Sequence, residues 1–117
     1  VNDKNGTPTY TYDFAQQVLH LIKNNIEGRF NVVCQGLTSR LEVTKEIIKF
    51  MNLTNKIKIK EVDSQFFKKD YYANRPFSER LINSRLNSLS LNIMRNWKVC
   101  LYEYLNKDYK NLFNENN

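Results

Sequence analysis

Apolar residues recur along this chain at two different spacings, and the changes between them mark out its elements. Phe14, Ala15, Val18, Leu19, Ile22 and Ile26 follow one another at steps of three and four, which puts them on one face of a helix over 12–26. Thr11 is the expected capping oxygen, Asp13 suits the positive first turn, and Gly28 is the expected stop. The polar residues 1–9 precede it, with Pro8 keeping Thr7 out of the helical region, so an extended entry is predicted. Residues 30–34, Phe-Asn-Val-Val-Cys, predict a short buried strand broken by Gly36. Ser39-Arg40-Leu41-Glu42 then reads as a capping box, opening a helix over 40–51 that carries Leu41, Val43, Ile47, Ile48 and Met51.

From 56 to 62 the period drops to two. As a strand, this segment sets Ile57 and Ile59 on one face and Lys56, Lys58 and Lys60 on the other. Residues 64–76, with Phe66-Phe67 and Tyr71-Tyr72, predict a packed loop. A short helix from 77 to near Ser90 carries Leu81, Ile82, Leu86 and Leu89, and a last one, from 96 to 105 or beyond, aligns Trp97, Leu101, Tyr104 and Leu105. The polar tail is expected to fray. No repeat or linker interrupts the pattern. The predicted architecture is α+β: a single domain over 1–117 with three to four helices and a short two- to three-stranded sheet.

Composition narrows the function classes. With 117 residues, 41% hydrophobic and 13% aromatic, the chain can bury a core and is too apolar to be disordered. Its apolar runs reach only three or four residues, too short to span a membrane, and no charged leader opens it, so the expected compartment is the cytosol. Eighteen basic against twelve acidic residues give a net charge of +6, which favours anionic partners such as nucleotides, nucleic acids or other phosphates. The charges are scattered, however, and the lysine ladder at 56, 58 and 60 reads first as a solvated face.

Catalytic patterns are missing from the chain. Three glycines leave no phosphate-cradling loop, and His20 with Cys34 and Cys100 leaves no zinc-type spacing. His20 flanks an apolar helix face with no nucleophile near it, and both cysteines sit in apolar settings where a thiol packs rather than reacts, although a disulfide between them stays open. The carboxylates are dispersed, and no tyrosine is followed by lysine four positions on. Taken alone, the residues describe a binding domain. No metal and no cofactor are expected in it.

Four stretches, in order, resemble one family. Gly6-Thr7-Pro8-Thr9-Tyr10 with Asp13-Phe14-Ala15 is similar to the Gly-x-Pro-Thr…Asp-x-Ala segment of dTDP-4-dehydrorhamnose reductases. Gly36-Leu37-Thr38-Ser39-Arg40-Leu41-Glu42 resembles their Gly-x-Thr-Ser-x-x-Glu helix entry. Ala73-Asn74-Arg75-Pro76, continuing to Leu81, Ser84, Arg85 and Leu86, resembles their Ala-x-Arg-Pro stretch, and Trp97 with Leu101 their closing helix. Ser78, Glu79 and Ile82 depart from it, standing where the family usually has Asn, Ser and Asp.

The resemblance covers roughly residues 6–105 and implies an extended short-chain dehydrogenase/reductase. This chain would be its C-terminal nucleotide-sugar-binding part. An N-terminal dinucleotide-binding domain, absent from this chain, would carry NAD(P)H and the Tyr-x-x-x-Lys pair. The reaction implied is NAD(P)H-dependent reduction of a 4-keto dTDP-sugar in dTDP-L-rhamnose biosynthesis, with the present chain alone inactive. Arg75 is the expected phosphate ligand, since guanidinium offers a rigid fork of donors and Pro76 stiffens its backbone. Arg40, in the first turn of a helix, Thr9, as a hydroxyl donor near the missing domain, and Tyr72 (with Tyr71), as a surface for a base, complete the expected substrate site. The partners implied are the dTDP-sugar and the dinucleotide-binding domain of the same polypeptide; a homodimer is left open and a membrane is not expected. A related sugar-nucleotide epimerase or dehydratase is the near alternative, as is a relative that kept the shape and lost catalysis. A small basic nucleic-acid-binding module is the alternative from another class, although no predicted helix concentrates Arg and Lys on one face.

Overall fold

The computed structural model describes residues 1–69 and 76–109. Among the described residues four α-helices form: α1 (Thr11–Lys23), α2 (Arg40–Phe50), the short α3 (Ser84–Ser88) and α4 (Trp97–Tyr104), which runs on into a π-helical turn, Leu105–Tyr109. A single 3-10 turn, Ser64–Phe67, lies between α2 and α3. The chain divides into two compact units, one of Val1–Thr7 with Leu37–Arg80, the other of Pro8–Gly36 with Leu81–Asn117.

The helix starts follow from local chemistry, with two changes to what the sequence predicts. Ser39 caps α2 by accepting from the Glu42 N–H at 3.3 Å, but the Glu42 carboxylate does not close the box back onto Ser39. It accepts instead from the Thr38 hydroxyl at 3.0 Å. The cap position of α1 is Tyr10, with no side-chain cap, and Thr11 is already helical. Asn96 caps α4 through the Lys98 N–H.

Three helices stop in the same way, each on a left-handed residue that is not glycine. After α1 the N–H groups of Asn25 (φ 52°) and Ile26 bond to the carbonyls of Ile22 and Leu21. After α2, Asn52 (φ 55°) and Leu53 bond to Lys49 and Ile48, and after α3, Ser90 (φ 55°) and Leu91 bond to Asn87 and Leu86. These are paired 5→2 and 6→1 bonds that satisfy the last carbonyls of a helix. Asn25 therefore ends α1, ahead of the expected Gly28. Asparagine tolerates this backbone because its short polar side chain bonds locally.

The expected sheet does not form, so the α+β class gives way to a helical one: the described residues contain three isolated bridges and no strands. In segment 30–34 side chains occupy the backbone groups that a ladder would use. The Asn83 amide accepts from the Val33 N–H at 3.0 Å and donates to the Val33 carbonyl at 2.8 Å, while the Thr9 hydroxyl accepts from the Cys34 N–H at 3.4 Å. One rung remains, Gln35 with Asn96, held by Gln35 N–H to Arg95 carbonyl and Trp97 N–H to Gln35 carbonyl. In segment 56–62 the alternation has no surface to face: residues 56 to 61 are all exposed, and Val62 accepts one bond from Asn2. Period two specifies a strand only where another strand and a core lie beside it.

Burial differs between the units. Among the described residues of the first, the buried apolar side chains are Leu41 and Ile48, beside buried Thr38 and Ser39. In the second they are Leu21, Cys34, Leu86, Met94, Trp97, Cys100 and Leu105. No helix among the described residues is long and apolar enough to cross a membrane.

Candidate functional site

Thr9 and Arg40, two of the residues expected to meet substrate, fall in different units. Thr9 is half-buried just ahead of α1, and its oxygen holds the Cys34 amide while its own O–H remains a donor. Arg40 is exposed at the first position of α2, its carbonyl accepting from the Thr44 hydroxyl at 2.8 Å. Arg75 and Tyr72, with Tyr71, lie outside the described residues.

Among the described residues of the second unit, the densest polar constellation is one that local sequence signals do not reveal. Arg95 engages the Asp13 carboxylate as a fork, with Nη2 to Oδ1 at 2.6 Å and Nε to Oδ2 at 2.9 Å. Its Nη1 reaches Glu103 Oε2 at 2.6 Å, and the other Glu103 oxygen takes Lys107 Nζ at 2.7 Å. The cluster ties the first turn of α1 to the segment before α4 and to α4 itself. Tyr12, Asp13, Gln16, Ile93, Arg95 and Glu103 line an open depression beside it. Arg95 holds the carboxyl of buried Asp13 below its ordinary value, and with Lys107 does the same to Glu103.

Behind the fork lie the two cysteines. Cys100 donates its S–H to Asp13 Oδ2 at 3.2 Å, and Cys34 Sγ lies 3.6 Å from Cys100 Sγ and accepts from the Tyr10 N–H at 3.4 Å. Burial, reinforced by the bond to Asp13, pushes the Cys100 thiol up and keeps it protonated. One ligand atom each of Asp13, Cys34 and Cys100 lies within 4.8 Å of the others. Two thiols and a carboxylate would suit a soft cation only as thiolates, and this carboxylate is already committed to a guanidinium. In chemical terms the cluster is a neutralised clamp: two acids and two bases answer one another, which leaves little net charge to offer a phosphate. Its role is positioning. Asp13 was legible as a first-turn acid, but Arg95 and Glu103 follow it by 82 residues or more and carry no local signal.

No curated protein matches the chain. Among solved structures, a dTDP-4-dehydrorhamnose reductase from Clostridium acetobutylicum is 32% identical with a TM-score of 0.83, over 91% of this chain and 36% of the reductase. Reductases of the same description from Bacillus anthracis, solved with NADP, and from Yersinia enterocolitica share the fold at 23% and 24% identity, with TM-scores of 0.79 and 0.77. They are covered over 92% and 90% of this chain and, like the first, over 36% of their own length. The chain thus spans about a third of the reductases it matches. The family model described as RmlD substrate binding domain matches residues 1–110, and this chain belongs to that family.

Proposed function

We propose that this chain is the nucleotide-sugar-binding part of a dTDP-4-dehydrorhamnose-reductase-like oxidoreductase. The parent transfers a hydride from NAD(P)H to the 4-keto group of a dTDP-linked 6-deoxyhexose in the cytosol. The observation that carries this reading is the family match over residues 1–110. The TM-score of 0.83 to a reductase 32% identical supports it. In this reading the cofactor and the groups that move hydride and proton belong to the rest of the parent, in a dinucleotide-binding domain that precedes residue 1. Residues 1–117 act as one part that grips the nucleotide. Arg75 binds the diphosphate, Arg40 adds positive charge at a helix start, Thr9 donates a hydroxyl hydrogen bond, and Tyr72 packs on the base. The Asp13–Arg95–Glu103 clamp contributes by holding α1 and α4 in place.

Titration of the isotopically labelled chain with dTDP, followed by amide chemical shifts, tests the reading even when half a cleft binds weakly. Shifts at Thr9, Arg40 and residues 71–76 are expected. Arg75→Ala is expected to weaken binding about tenfold or more, the effect of losing a charge-assisted hydrogen bond worth about 1.5–3 kcal/mol. A spectrum unmoved by millimolar dTDP removes the nucleotide site from this chain.

A further inference from the structure

Helix α1 is inside out. Its apolar residues Phe14, Ala15, Val18, Leu19 and Ile22 form one stripe at steps of three and four, the pattern that ordinarily faces a core. Here the helix buries Asp13, Gln17 and Leu21 instead, and leaves Phe14, Leu19 and Ile22 at 45%, 41% and 65% exposure. This orientation is pinned. Gln17 is fully buried, its amide donating to the Leu91 carbonyl at 3.0 Å and accepting from the Ile93 N–H at 2.8 Å. Rolling the stripe inward would break both of those bonds and the Asp13–Arg95 fork.

We propose that the α1 stripe is the docking face for the part of the parent reductase outside residues 1–117, its dinucleotide-binding domain. The inference rests on the reading of this chain as one part of a longer reductase. Three observations select this occupant. The stripe carries no charged side chain, so it suits neither a phosphate nor a nucleic acid. A 13-residue helix is about 20 Å long and about 10 Å across, so one face of it covers well under the roughly 800 Å² per partner of a standard interface. A covalently attached domain needs less area, because its effective concentration is already high. Finally, the matched reductases carry close to two-thirds of their length outside the region that this chain covers, so such a domain is there to dock.

Thiol labelling tests the assignment. Ile22→Cys is introduced into the 117-residue chain and into the parent protein, and its rate of reaction with a maleimide is measured under native conditions, where Cys34 and Cys100 are buried. The rate is expected to fall at least tenfold in the parent, while Lys23→Cys, on a neighbouring exposed position, reacts equally in both. Leu19→Cys serves in the same way should Ile22→Cys not fold. Equal rates for the stripe in both proteins overturn the proposal. So does slow labelling in the short chain together with a dimer in sedimentation, which would make a second copy the occupant. Protection in the parent without reduction of a 4-keto dTDP-sugar would leave the docking face standing and remove only the assigned reaction.

Discussion

Asp13 shows how one side chain answers to more than its local signal. In the first turn of α1 a carboxylate is favoured by the helix dipole, which is all that the residues around it disclose. The structure adds a two-point guanidinium contact and a thiol donor, both on the far side of the chain in sequence. A carboxylate whose pKa is lowered on folding contributes stability above its unfolded value, and that contribution is lost as pH falls through the folded value. The ordinary values are 3.8 for Asp13 and 4.5 for Glu103, and both are lowered here by Arg95. Stability is therefore expected to hold from neutral pH down to about those values and to fall below them. Asp13→Asn is expected to cost about 1–2 kcal/mol at pH 7, the loss of charge-assisted bonds to an Arg95 that is partly exposed and keeps Glu103 as a second counter-ion. The variant's acid limb should also be shallower. Urea unfolding at pH 7 and pH 3 measures both, and an equally steep limb in the variant would clear Asp13 as its source. Gln17 carries no local signal of its role: a glutamine inside an apolar helical pattern looks solvated until the chain supplies Leu91 and Ile93 opposite it.

Among the elements, α1, α2 and α4 were legible, whereas the helix expected from 77 shortens to Ser84–Ser88 and the two expected strands do not form among the described residues. The start of α2 at Ser39 was readable because a cap is settled within four residues, whereas the Asn96 cap of α4 shows only in the structure. The stops were partly readable: the left-handed position went to Asn25, Asn52 and Ser90. Glycine is needed at another point. Gly36 has φ +97°, and a Cβ there would lie 2.9 Å from both Asn96 Nδ2 and Trp97 Cδ1. Trp97 is buried and cannot yield. Gly36→Ala is expected to destabilise by about 2–3 kcal/mol, from the left-handed backbone and overpacking together. Gly6→Ala, with nothing within 4 Å of its added methyl, should stay within about 0.5 kcal/mol of the parent sequence. Thermal unfolding of the pair decides it; equal melting temperatures would sink the assignment.

At the scale of the whole molecule, the described residues of the two units bury different amounts of apolar side chain. Leu41 and Ile48 support the first, whereas Leu21, Leu86, Met94, Trp97 and Leu105 are among those that support the second. Local opening follows buried contacts, so amides of α2 are expected to exchange with deuterium faster than those of α1 and α4. Exchange at one common rate would show that the units open together. The chain's sequence alone determined where α1, α2 and α4 form, the Ser39 cap and the motifs that mark its family, because each of these is written within a few neighbouring residues. Tertiary structure decided which face of α1 turns inward, that the backbone of 30–34 pairs with the Asn83 and Thr9 side chains, that residues 56–61 face solvent, and that Asp13, Arg95 and Glu103 meet. Those outcomes depend on partners tens of residues away, and a hydrophobic pattern states only that a face will be covered, not by what.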